Sequence, residues 1–276
     1  MNVLSMEKQT AILSALVEGN SVRSTSRMSG AHIGTILSLL KRTGDGRERL
    51  MDRTMRGLSC ERLELDEIWG YVHCKQKWAA QFPERRQEIG DFYCFIALDA
   101  ETKLVPCYRV GKRTRSECDA FIQDLRARLA RRVQISTDAF AGYYGSIARA
   151  FDRAVGYAQI QKVFASDVNW GRYSPPVLLN ALKERIIGLP DMDLVSTSYV
   201  ERQNLTVRMQ MRRLTRLTNA FSRKLENLKA AYALHFAHYN FVRIHQTLRV
   251  TPAMAAGVAD RLWSVEELLK AATAEP

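Results

Sequence analysis

The sequence predicts an α/β fold, a mixed five-stranded sheet with flanking helices, preceded by a small all-α module. Three observations predict it. Apolar residues recur at helical spacing up to about residue 43, and the period changes to two from Glu61 onward. Strand-like runs then alternate with amphipathic stretches up to about residue 214. With 46% hydrophobic and 25% charged residues, a chain of 276 residues can bury one substantial core and carry one or two appendages.

The first segment, residues 1–43, carries an apolar stripe of Ile12, Leu13, Leu16 and Val17. After a break at Gly19-Asn20-Ser21, a short helix follows from about Val22 to Met28, and Ser29-Gly30 forms a turn. A helix from about Ala31 to Lys41 then places Ile33, Ile36, Leu37 and Leu40 on one face. This spacing is that of a helix-turn-helix, although three helices that merely cap the next domain would show the same pattern. Gly44-Asp45-Gly46 and the charged run from Arg47 to Arg53 read as a linker, residues 44–60.

Leu63 and Leu65 alternate with Glu64 and Asp66 and continue through Ile68 and Trp69, a strand with Asp66 near its middle. Lys75 to Gly90 is polar and irregular. The run from Phe92 to Leu98 is apolar on both faces and suits a central strand. Leu104 to Val110 contains Pro106, which has no N–H to give a ladder, so this third strand belongs at an edge. A helix from Ser116 to Leu129 aligns Phe121, Leu125 and Leu129, and a short strand from Val133 to Thr137 ends at Asp138. A helix over 142–151, a strand over 157–164 and a helix bearing Glu201 complete an order typical of ribonuclease H-like domains, here residues 61–214. Residues 215–276 read as a C-terminal helical extension, with Leu225, Leu228, Tyr232, Phe236 and Tyr239 at core spacing.

Forty-one Lys and Arg against 29 Asp and Glu leave a net charge of +12, for which a polyanion is the natural partner. The five cysteines form no CxxC pair and read as buried free thiols. No apolar run approaches the roughly 20 residues of a membrane span, and MNVLSMEKQT lacks the layout of an export signal, which places the protein in the cytoplasm.

Three acids carry the candidate chemistry. Phosphodiester transfer uses two divalent cations roughly 4 Å apart, and such hard ions take carboxylate oxygens. Asp66 and Asp138 fall on neighbouring strands, and Glu201, early in its helix, would close the site from the side. Singly, each is as readily a solvated surface acid. Alternation sends Glu67 to the face opposite Asp66, so it does not substitute for it. Glu64 shares the Asp66 face and reads as an ion-pair partner, while Asp167, Glu184, Asp191 and Asp193 read as solvated loop residues.

The stretch STSYVERQNLTVRMQMRRLTRLTNAFS from Ser196, and YNFVRIHQTLRVTPAM from Tyr239, resemble transposases of the bacterial insertion-sequence-one family and its DDE relatives. The resemblance runs from LELDEIWGYV at Leu63 through STDAF at Ser136 to TPAM at Thr251. It implies a DNA transposase with Asp66, Asp138 and Glu201 as catalytic, metal-holding acids. It further implies two Mg2+ ions, with Mn2+ as a substitute, and double-stranded DNA, both element ends and target, as partner. Joining two ends implies at least a homodimer on DNA, and the helix-turn-helix would recognise those ends. The family often carries a cysteine-rich zinc ribbon ahead of that module, and this sequence has none. A ribonuclease H-like nuclease or resolvase, and a non-catalytic DNA-binding repressor, are the alternatives.

On the Glu201 helix, Glu201, Leu205, Arg208 and Arg212 share one stripe beside an apolar face of Val200, Val207, Met211 and Leu214. Between Ser198 and Lys224, seven basic residues face a single acid, and Arg202, Arg208, Arg212, Arg213 and Arg216 read as a phosphate track. On an isolated helix a solvated basic face is the plainer reading, but beside a catalytic glutamate DNA contact is favoured. His245 is a candidate neighbour of the active site or a structural histidine, and His235 and His238 read as packing or surface residues.

Overall fold

Six strands form one mixed sheet: β1 (Arg62–Val72), β2 (Gly90–Asp99), β3 (Cys107–Gly111), β4 (Val133–Asp138), β5 (Val155–Phe164) and β6 (Leu178–Ile187). Their order across the sheet is β3-β2-β1-β4-β5-β6. The computed structural model describes residues 4–152, 154–164, 178–215 and 217–274. β1 to β3 make an antiparallel meander, β4 and β5 run parallel to β1, and β6 returns antiparallel to β5. Ten helices of the described residues complete the fold: α1 (Met6–Val17), α2 (Val22–Ser29), α3 (Ile33–Thr54), α4 (Gln76–Ala79), α5 (Arg115–Arg128), α6 (Ala141–Phe151), α7 (Ser198–Gln210), α8 (Leu225–Phe241), α9 (Pro252–Ala255) and α10 (Val265–Thr273). None of them is long and apolar enough to cross a membrane.

β2 is buried from Cys94 to Asp99, as its continuous apolar run requires, and β3 starts just after Pro106 at the sheet edge. The expected five strands are six. β6, with Glu184 inside it, was read as loop because it is an edge strand exposed along almost its whole length, so no inside–outside alternation marks it.

The expected linker is helix. α3 runs for 22 residues straight through Gly44-Asp45-Gly46. Those glycines serve packing rather than turning: a Cβ at Gly44 would lie 2.8 Å from the Ala230 side chain, and one at Gly46 would lie 1.7 Å from the Ala272 carbonyl oxygen. Bare backbone there lets α3 press against α8 and α10, and tertiary contact outweighs the roughly 1 kcal/mol per residue that glycine costs a helix. The charged run is equally misleading, because Arg47 and Leu50 point into the core.

α8 is not a peripheral extension either. Fourteen of its 17 residues are buried, and it packs along α3. The fully buried Asn240 accepts from the Val105 N–H at 3.1 Å and donates to the Val105 carbonyl at 2.9 Å. It thereby satisfies both backbone groups just ahead of β3.

In the N-terminal helices Gly30 adopts φ 66° and ends α2, and Ile36 and Leu40 are buried as their spacing requires. Ile33 turns outward and Leu39 takes the core position. Residues of α1 and α3 belong to the same apolar core as the sheet, α8 and α10.

Candidate metal centre

β1 and β4 pair in parallel up to Leu65 opposite Thr137. One residue further on, Asp66 stands beside Asp138, the last residue of β4. The chain after β4 is fastened at once: the Phe140 N–H donates to Asp138 Oδ1 at 3.0 Å. The Glu67 N–H donates to Asp66 Oδ1 at 2.8 Å.

Oxygens of Asp66, Glu67 and Asp138 all lie within 4.8 Å of one another. Glu67 therefore corrects the reading from alternation. It does leave β1 on the opposite face, where Oε2 pairs with Arg113 at 3.0 Å. Past the last β1–β4 pair, however, no neighbouring strand separates the two faces on that side, and the longer glutamate reaches the two aspartates. Burial pushes the Asp66 carboxyl up to about 7; the Glu67 N–H opposes this, and the charges of Asp138, Glu67 and Glu201 add to it. Burial likewise raises Glu67, offset by Tyr143 and Arg113 and reinforced by Asp138.

α7 closes the other side, and Glu64 fixes it there. Rather than forming an ion pair, the buried Glu64 carboxylate accepts the Val200 N–H at 2.9 Å, an unsatisfied donor in the first turn of α7. Glu201 stands in that first turn. Its carboxylate is bonded to Lys162 and accepts from Thr197 Oγ1 at 2.6 Å. It remains half-exposed, outside the three-acid cluster, with its charge felt at Asp66. One turn on, Asn204 Nδ2 donates to Asp66 Oδ2 at 2.7 Å. Asn204 was missed in the sequence, yet its spacing of three from Glu201 puts both on one helix face. Lys162, Thr197 and Arg113 carry no comparable signal.

The basic track divides. α7 ends at Gln210 and the chain folds into a short 3-10 turn over Arg212–Leu214, so Arg212 leaves the stripe of Glu201 and Arg208. The fold-back brings the Leu214 carbonyl to Arg208, which donates to it at 3.2 Å and to the Trp69 carbonyl at 3.3 Å. Arg213 turns inward and donates to Ser222 Oγ and the Asn227 carbonyl, both at 2.8 Å, and burial lowers its pKa to about 10. Both arginines thus brace the fold while remaining partly exposed. Arg202 and Arg212 are exposed, while Arg216, like Asp167, lies outside the described residues. His245 Nδ1 pairs with Thr247 Oγ1 at 3.0 Å; burial lowers its pKa, and Lys103 and Arg243 add to that. The apolar face of Val200, Val207, Met211 and Leu214 is buried as predicted. His235 and His238 are buried on α8.

No family model matches the chain, and no curated protein matches it. Among solved structures, a piggyBac transposase synaptic complex with hairpin DNA, determined by cryo-EM, aligns over 97% of this chain and 69% of its own, at 9% identity and a TM-score of 0.38. Similarity at that level does not establish a common fold.

Proposed function

We propose that the chain is a DNA transposase of the DDE type, built on a ribonuclease H-like domain and acting on the ends of its own element. The observation that carries this reading is the convergence of Asp66, in the middle of β1, and Asp138, at the end of the parallel neighbour β4, with Glu201 on α7 near enough for its charge to be felt at Asp66. The resemblance of the LELDE, STDAF and ERQN segments to insertion-sequence-one transposases assigns the same three acids.

The residues fit divalent cations. Crowded carboxylates supply hard oxygen donors, and Glu67 Oε1 is buried without a hydrogen-bond partner. When bound, Mg2+ or Mn2+ would supply Lewis-acid stabilisation of the charge that develops on the attacking and leaving oxygens. Asp66 and Asp138 would hold the cations from the sheet. Asn204 orients Asp66, and Glu64 sets the position of α7 and so of Glu201. Lys162, bonded to Glu201, neutralises it, and Glu201 would complete the set of cation-holding acids. Arg202 and Arg212 offer the phosphate backbone of double-stranded DNA exposed cations, and the N-terminal helices serve end recognition. Two DNA ends must be joined, so at least a dimer acts.

The test is a strand-transfer assay on the element's terminal DNA with Mg2+, comparing the wild type with Asp66→Ala, Asp138→Ala and Glu201→Ala. Joined product from the wild type alone is expected. Hydrolysis without joining would make the protein a nuclease, and binding without cleavage would make it a repressor.

A further inference from the structure

We propose that Glu67 is a cation-holding residue of this centre and, with Asp66 and Asp138, seats the first divalent ion before Glu201 engages. The inference rests on reading the centre as a divalent-cation site, and extends it to a residue outside the Asp66, Asp138 and Glu201 set.

Glu67 is unusually placed for a surface-forming acid. Its side chain is 3% exposed, yet only one of its oxygens is satisfied: Oε2 pairs with Arg113 at 3.0 Å, while Oε1 is buried with no hydrogen-bond partner. The nearby Tyr143 hydroxyl is also buried and falls short of hydrogen-bond geometry with it. Buried carboxylate oxygens are ordinarily paired, because an uncompensated one forfeits its hydration. A cation shared with Asp66 and Asp138, each of which has an oxygen within 4.8 Å of the Glu67 carboxylate, would supply the missing partner.

The surroundings are built for that role. The Arg113 guanidinium that aims Glu67 stacks 4.2 Å from the centroid of the Phe140 ring, and the Phe140 N–H fastens Asp138. One short segment after β4 thus positions two of the three acids. Three carboxylates against the Arg113 guanidinium leave two negative charges, the charge a divalent cation neutralises. Glu201 is meanwhile occupied by Lys162 and Thr197. Loading of the first ion therefore depends on Glu67 and not on Glu201, and Glu201 joins when Lys162 releases it.

The experiment is an Mn2+ titration of the full chain without DNA, with free Mn2+ followed by electron paramagnetic resonance. Wild type, Glu67→Gln, Asp66→Asn and Glu201→Gln are compared, each checked for native near-ultraviolet circular dichroism. Glu67→Gln keeps the volume and the acceptor for Arg113. It is expected to weaken the first Mn2+ by at least about tenfold, since even residues that only support a ligand cost that much. Glu201→Gln is expected to stay within about twofold of wild type. Were Glu67→Gln to lose the native signal, Glu67→Asp replaces it and is expected to weaken binding while keeping the charge. Undiminished affinity in the Glu67 variant, with loss in Asp66→Asn, overturns the role of Glu67 and leaves the centre standing. Failure of the wild type to bind Mn2+ overturns both.

Discussion

The carboxylates of β1 and β4 and the arginines in and just after the last turn of α7 make an instructive contrast. Both are clusters of like charge. Arg208 and Arg213 are each bonded to two acceptors of the fold, which ties neighbouring segments of the chain together. Asp66, Glu67 and Asp138 instead crowd within 4.8 Å, with their main cationic neighbour, Arg113, on the far face. A partly buried cluster of three acids with a single paired cation is costly to keep, whereas a paired arginine braces the scaffold. The difference separates charge retained for a ligand from charge retained for structure, and a charge count alone cannot make that distinction.

The contrast can be broken or sharpened by experiment. Replacing Asp66 or Asp138 with alanine should lower DNA cleavage by about 10²–10³-fold or more, the loss typical of removing one preorganised group that stabilises a transition state. Steady-state cleavage rates with Mg2+ check it, and near-wild-type rates would end the enzyme reading.

Asp66 is also expected to cost the cation-free fold stability. Its folded pKa of about 7 lies above its ordinary value of 3.8, so the unfolded chain gives up this proton more readily. Stability is therefore full below pH 3.8, declines as pH rises toward 7, and stays low above it. Asp66→Asn removes that penalty and should stabilise the protein at pH 8 by about 2–4 kcal/mol, with little effect at pH 4. Urea denaturation at the two pH values measures the difference, and equal effects would refute the strained-acid description.

The scaffold arginine should behave in the opposite way. Arg213→Ala removes two charge-assisted hydrogen bonds and should cost about 3 kcal/mol in urea midpoints. The smallest effect is expected at the surface. Arg202→Ala and Arg212→Ala should leave stability within about 0.5 kcal/mol and lower the salt slope of DNA affinity by about one each. An unchanged slope would remove both residues from the DNA interface.

Much of this organisation was legible in the chain. Period-two alternation placed β1 with Asp66 at its middle, the unbroken apolar run placed β2 in the sheet interior, and Pro106 put β3 at an edge. The segment from Val133 to Asp138 ended where expected. Local pattern failed where a partner decides the outcome. β6 has no buried face to reveal it, and the glycines of α3 signal a linker until Ala230 and Ala272 are seen pressed against them.

By itself the sequence determined the strands and helices that bury a face, because periodicity is a local consequence of backbone geometry. It also placed Asp66 within β1 and Asp138 at the end of β4. Only the tertiary structure decided that Glu67 joins Asp66 and Asp138, that Glu201 is held by Lys162, and that Arg213 turns inward. Each of those outcomes depends on where a neighbouring strand or helix stops. That is set by packing between segments tens of residues apart, and no local period encodes it.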